Sequence, residues 1–175
     1  MTGAPDIRIE RADAKPWGPL SPFHHRSILF EGVSFPSAEH AFQAGKPKRR
    51  EVRDWLLAAP STALLTTASQ NLPTWEIASG WSRSVRDRMR SVLRAKFEQH
   101  ADLRDLLHAT GDARIVLVLG MDNAVNRFWG EVNGEGDNFV GRCLVDLRDG
   151  PEIMITRTKA RIAAEISFEN EREQP

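Results

Sequence analysis

The sequence predicts an α+β fold in which helices outnumber a few short strands. Three observations predict it. Trp81, Val85, Met89, Val92 or Leu93, and Lys96 or Phe97 recur at helical spacing and mark the buried stripe of a long helix. Arg114 to Gly120 is a nearly continuous apolar run of strand length, which reads as a strand buried on both faces and central in its sheet. Ser27–Phe30 and Val33–Phe35 flank Glu31-Gly32, the pattern of a hairpin turn.

The 175 residues suit one domain with a sizeable core. Lys plus Arg and Asp plus Glu are equal at 24 each, so net charge predicts no nucleic-acid partner and leaves room only for a local basic face. A single cysteine, Cys143, excludes an internal disulfide and fits a reducing, cytoplasmic setting. Met1 to Glu10 has no apolar core of signal-peptide length. No run approaches the roughly 18 apolar residues of a membrane span. The five histidines lie in unrelated contexts, so no metal-ligand spacing appears and no cofactor is expected.

In chain order, residues 1–6 read as a loose tail, and Ile7 to Glu10 alternates as a short strand. Lys15 to Phe23 is a rigid loop with two aromatics, Trp17 and Phe23, suited either to stacking on a base or to anchoring the loop. After the hairpin comes a helix over 37–45, then the basic cluster Lys46-Pro47-Lys48-Arg49-Arg50. Further helices are expected over 51–58, ended by Pro60, and 61–69, followed by a break at Asn71-Leu72-Pro73. Within the long helix 81–98, Arg83, Arg86, Arg88, Arg90, Arg94 and Lys96 outnumber Asp87 and Glu98, a balance of +4 that suits a solvated face or a phosphate-binding one. A short helix spans 102–108. Residues 126–141 read as a loop containing Trp129 and four glycines, ending where a helix starts at Asp137 or Asn138. Such a start is a natural anion site, although Gly-Glu-Gly-Asp-Asn is also ordinary turn chemistry. Residues 151–168 are expected to add one element and 169–175 a disordered tail.

The stretch Phe35 to Lys46 carries the candidate chemistry. Ser37 is a good N-cap and Pro36 prevents an earlier start. Glu39, Phe42, Gln43 and Lys46 fall at i, i+3, i+4 and i+7 on one face. Glu39 lies in the first turn, where the helix dipole favours its ionised form. The same pattern also suits a solvated face with Lys46 as an ordinary C-terminal cation.

Four ordered segments resemble those of a known family. Leu20-Ser21-Pro22-Phe23 and Phe35-Pro36-Ser37-Ala38-Glu39-His40-Ala41-Phe42-Gln43-Ala44-Gly45-Lys46 resemble its LSNF and YPTxEHYFQAxK segments. Trp81, Met89 and Lys96-Phe97 are spaced like its W-x7-M-x6-KF helix. Trp129-Gly130 and Gly136 to Gly141 resemble its WG and GxNxLG segments. On these residues, between about 20 and 148, the chain is identified as a member of the YbiA-like, or NADAR, family, named for NAD and ADP-ribose. The resemblance implies a compact, mainly helical α+β domain with a small sheet. It also implies cleavage of an N-glycosidic bond, either removing ADP-ribose from modified guanine in DNA or RNA or hydrolysing phosphoribosyl-aminopyrimidine intermediates of riboflavin synthesis. A non-catalytic ADP-ribose or NAD sensor is the third reading. Two positions depart from the pattern: Asn126 stands where the family has Asp, and Pro22 where it has Asn. Since an amide is not a base, either Glu39 acts alone, or Asp122 substitutes, or activity is reduced.

Breaking a ribosyl C–N bond builds positive charge on C1 and the ring oxygen, which glycosidases meet with carboxylates. Glu39 suits that need, with Lys46 and Asn126 as the other catalytic candidates. Gln43 suits a ribose hydroxyl, Phe23 or Trp129 suits the base, and Trp81 is a further substrate-binding candidate. Gly134, Gly136 and Asn138 suit a phosphate held by backbone amides. Lys46 suits either a phosphate or nucleophilic attack on the sugar, the latter if Lys48, Arg49 and Arg50 favour its neutral form.

Overall fold

The computed structural model describes residues 5–150, so the expectations for residues 1–4 and 151–175 lie outside the described residues. The order is β1 (Ile7–Ile9), β2 (Ile28–Phe30), β3 (Val33–Phe35), α1 (Ala38–Gln43), α2 (Arg50–Leu57), α3 (Thr62–Gln70), α4 (Trp81–Gln99), α5 (Ala101–His108), β4 (Ile115–Leu117), α6 (Ala124–Trp129) and α7 (Phe139–Asp149). Single 3-10 turns at Gly18–Leu20 and Thr74–Glu76 complete it. This is the mainly helical α+β architecture.

The strands form two separate pairs. β1 and β4 run parallel, with Ile7 opposite Ile115 and Ile9 opposite Leu117. β2 and β3 form the antiparallel hairpin, with Ile28 opposite Phe35. Its two-residue turn places Glu31 and Gly32 at φ 52° and 77°, the left-handed pair that lets a tight hairpin follow the natural strand twist. β4 is shorter than its apolar run but is buried along its length, with β1 on one side and a bridge from Val118 to Glu131 on the other. α7 covers β4, while α4 crosses the molecule and packs on α1, α5, α7 and β2. Val92, Leu93 and Phe97 of its stripe are fully buried with Ile115, Leu144 and Leu20. Burying each such side chain contributes on the order of 1.5–3 kcal/mol, so this stripe holds the two strand pairs on one core.

Two elements differ from the sequence reading. α1 stops at Gln43, because Ala44, Gly45 and Lys46 turn back onto carbonyls of its last residues. Lys46 therefore lies beyond the helix, and a rise of helical residues does not set its separation from Glu39. The stretch 126–141, read as loop, begins inside α6, which runs from Ala124 to Trp129 and is capped by Asn123, whose side chain accepts from the Asn126 amide at 2.8 Å.

Candidate active site

α1 is only six residues long, and both its ends are tied. At its start, Ser37 Oγ accepts from the His40 amide at 3.3 Å, and the Pro22 carbonyl accepts from the Glu39 amide at 3.0 Å. At its end, Arg88 of α4 donates to the Ala41 and Phe42 carbonyls at 2.8 and 3.1 Å while pairing with Glu31 at 2.9 Å. Gly45 makes room for this, since a Cβ there would overlap the Arg88 guanidinium.

The helix thereby sets Glu39 and Gln43 into a cavity of about 450 Å3 that is also lined by Phe23, Lys46, Trp81, Asn126 and Trp129. Seven of the ten residues proposed for the site from sequence therefore meet in one place. Phe42 packs between the two tryptophans, its ring centre 5.2 Å from each. These rings give the cavity an apolar wall.

Its floor is a polar network. Gln43 Nε2 donates to Glu39 Oε1 at 2.7 Å, and Thr66 Oγ1 lies within 3.1 Å of the same oxygen. Ser69 Oγ donates to Gln43 Oε1, and Lys46 Nζ donates to the Ser69 carbonyl at 2.6 Å. Both contacts to the carboxylate fall on Oε1, so no described residue donates to Oε2. Thr66 and Ser69 were not anticipated. With Thr62 they form a hydroxyl stripe at i, i+4 and i+7 along α3, a pattern visible in the sequence.

Glu39 is 3% exposed, and this burial decides its titration. Loss of solvent raises its pKa, against the hydrogen bonds from Gln43 and Thr66 and the charge of Lys46, which lower it. The first-turn argument for a readily ionised carboxylate is therefore corrected: burial outweighs a short helix's dipole. Burial lowers the pKa of Lys46, and Glu39 raises it in opposition. Its basic neighbours are not the cause. Arg49 is paired with Glu76, and Arg50 lies 3.4 Å from Asp54.

Asp122, Gly134, Gly136 and Asn138 lie outside this cavity, whereas Asn126 is part of its lining. Asn126 Nδ2 donates to the Met121 carbonyl at 2.8 Å. Asp122 is exposed and held by Arg127 at 2.6 and 3.0 Å, an ion pair that lowers its pKa, and it does not line the cavity. Gly134 and Gly136 shape the turn before α7 at φ 85° and 146°, and a Cβ on Gly136 would strike the Gly130 and Arg127 carbonyls. Asn138 is buried and joins α7 to β4, accepting from the Leu117 amide at 3.1 Å and donating to the Ile115 carbonyl at 2.7 Å. None of these three lines the Glu39 cavity, so the expected phosphate cradle is a structural joint there.

Two larger hollows lie beside the Glu39 cavity and on the α4–α7 face of the described residues. One of about 470 Å3 adjoins the Glu39 cavity and shares Phe23, Thr66, Gln70, Leu117, Leu119 and Asn126 with it. The other, a groove of about 730 Å3, runs between α4 and α7. There Arg86 and Arg90 lie 5.2 and 4.9 Å from the Phe128 and Phe139 rings, and Arg142 joins them. Asp112, Asp137 and Asp146 line the same groove. Of the other α4 cations, Arg88 and Lys96 are spent on backbone carbonyls. The basic helix is therefore not one continuous positive face.

Fold and cavity together define a mainly helical α+β domain that presents a buried carboxyl group to a ring-walled cavity. Residues 10–150 match the NADAR domain. N-glycosidase YbiA of Shigella flexneri is 36% identical over 138 residues, covering 76% of this chain and 81% of that protein. A riboflavin biosynthesis protein of Vibrio vulnificus is 32% identical over 133 residues, covering 75% of this chain and 35% of that protein. The NMR structure of the Escherichia coli protein YbiA superposes with a TM-score of 0.69 at 29% identity, covering 89% of each chain. The chain belongs to the NADAR family. The relatives' names support N-glycosidase activity, the hydrolysis of an N-glycosyl bond, as the class of reaction. Among the described residues no helix is long and apolar enough to cross a membrane.

Proposed function

We propose that the protein removes ADP-ribose from ADP-ribosylated guanine in nucleic acid by hydrolysing the ribosyl C–N bond. The observation that carries this reading is Glu39: a buried carboxyl group with a raised pKa, one oxygen held by Gln43 and Thr66 and the other without a donor among the described residues. In its protonated form it donates to the leaving base as C1–N breaks and the bonding electrons pass to nitrogen. The resulting carboxylate then faces the cationic sugar and takes the proton of the water that attacks C1. Gln43, oriented by Ser69, keeps that carboxyl group fixed. The rings of Phe23, Trp81 and Trp129 suit a base, a contact worth about 1–3 kcal/mol. Two adjoining compartments of about 450 and 470 Å3 favour a substrate with two nucleoside-like ends.

A second reading, hydrolysis of a phosphoribosyl-aminopyrimidine, is favoured by the Vibrio relative's name and by Lys46 as the lone Lys or Arg lining the Glu39 cavity, enough for one phosphate. Incubation with an ADP-ribosylated guanine oligonucleotide and, separately, with the pyrimidine intermediate tests both. Release of free ADP-ribose with restoration of guanine is expected. Cleavage of the pyrimidine intermediate alone would replace the first reading with the second.

A further inference from the structure

Lys96 sits in the apolar stripe of α4 and is 0% exposed. Lysine is almost never fully buried without a carboxylate partner. Here Nζ donates instead to the carbonyls of Pro19 and Ser21, at 2.7 and 2.6 Å. Burial and the charge of Arg26 lower its pKa to about 7. A neutral amine retains two N–H groups, one for each carbonyl, so the grip does not require the charge.

The two carbonyls belong to the segment Pro19–Phe23, which runs over the core into the site. Leu20 and Ser21 are buried, and Ser21 Oγ accepts from the Phe23 amide at 3.2 Å. The next carbonyl, on Pro22, receives the Glu39 amide at 3.0 Å. Phe23 itself lines both compartments of the cavity. A single peptide unit thus separates the carbonyl held by Lys96 from the carbonyl that holds Glu39.

We propose that Lys96 is a positioning residue for Glu39: its amine fixes the Pro19–Phe23 segment, and through Pro22 and Phe23 that segment sets the carboxyl group and the cavity wall. The inference rests on Glu39 being the catalytic carboxyl group. An apolar side chain would fit the surroundings of Val92 and Phe97 but would leave the Pro19 carbonyl without its Lys96 donor and the Ser21 carbonyl with the His24 amide alone, at 3.2 Å.

The test uses a Cys143→Ala background, which removes the chain's one cysteine. Lys96→Met is compared with Lys96→Cys alkylated by 2-bromoethylamine while unfolded and then refolded, which restores a near-isosteric amine. In Lys96→Met, amide hydrogen exchange at Glu39 and Phe23 should accelerate by at least about tenfold while Leu144 and Val145, in the interior of α7, stay protected. The kcat should fall by roughly 10- to 100-fold, as expected when a reacting group is misplaced by about 1 Å. Aminoethylation should restore both. Unchanged exchange at Glu39, or no restoration by the amine, overturns the proposal. So does faster exchange with kcat unaltered on a substrate that the parent cleaves. The exchange readout stands without any substrate, so failure of the N-glycosidase reading is distinguishable from failure of this one. Should Lys96→Met not fold, Lys96→Gln, which keeps two N–H donors on a side chain one bond shorter, is compared with the aminoethylated Lys96→Cys. Faster exchange at Glu39 and lower kcat in the Gln variant than in the aminoethylated one are expected, and equal values with exchange at Glu39 faster than in the parent overturn the proposal.

Discussion

The Glu39 cavity and the groove between α4 and α7 show that neither size nor number of charges makes a site. The groove is larger, at about 730 against 450 Å3, and holds more guanidinium groups. Yet Arg114 there is paired with Asp6 and Glu131, Arg148 with Asp149, and three further aspartates share the lining. Its charges answer one another. In the smaller cavity two donors converge on one oxygen of one buried carboxyl group, and no described residue donates to the other oxygen. Convergence on an incompletely satisfied group, rather than charge density, distinguishes the candidate catalytic region.

The most direct way to break this contrast is Glu39→Gln, which keeps shape and removes the acid. Turnover should fall by at least about 100-fold in a folded protein, the scale of losing a preorganised charged group. Near-normal turnover would move the chemistry out of this cavity.

A smaller effect is expected at Lys46. Its ammonium group donates to the Ser69 carbonyl and feels the Glu39 charge, an arrangement suited to gripping a phosphate. Lys46→Met should raise KM by about tenfold with a lesser change in kcat, as for loss of ground-state binding. Borohydride added during turnover should trap no adduct on the parent protein. A protein–sugar adduct mapping to Lys46 would instead make the amine the nucleophile.

Asn126 sharpens the comparison within the cavity itself. Asn126→Asp supplies the second carboxylate of the family pattern and should raise turnover by up to about tenfold, within the range of general acid–base assistance. Asp122→Asn should do little, because Asp122 is committed to Arg127. The reverse result would show that the exposed aspartate reaches the substrate.

Across the groove, Arg86→Ala with Arg90→Ala should leave kcat/KM within about twofold, as exposed and internally balanced charges contribute little. A large loss on oligonucleotide alone, with a flatter salt dependence, would restore the groove as a backbone track.

The smallest effect expected is on stability. Glu39 has a folded pKa above its ordinary value of 4.5, so the native state binds the proton more tightly than the unfolded chain. Stability is therefore lost as pH rises from about 4.5 through the folded value. Glu39→Gln should melt above the parent at pH 8 and no higher than the parent at pH 4. A gap that closes as pH rises would reverse the assignment.

Much of this arrangement was legible because it is local. The hairpin turn, the Ser37 cap and the stripe of α4 are short-range patterns, and each appears where its residues demand. α6 was hidden among glycines, although Asn123 before Ala124-Val125 is an ordinary cap. The carboxylate–amide pair of Glu39 and Gln43 was visible at i, i+4, but its burial was not, because the α3 side chains that bond it lie 27 and 26 residues further along the chain. Asn138 misled for a related reason. An asparagine before a helix resembles a ligand cradle until the strand that uses both ends of its amide is in place.

Gly45 and Arg88 carry a consequence for how the chain tolerates change. The guanidinium group that closes the end of α1 occupies the space a side chain at position 45 would need. Gly45→Ala should therefore be costly with Arg88 present and nearly neutral once Arg88 is alanine. The pair is epistatic, with the double variant milder than the sum of the singles. Across related sequences, the two positions should then drift together: bulk at 45 would accompany loss of arginine at 88, while glycine at 45 would leave 88 free to keep its grip on the helix that bears Glu39.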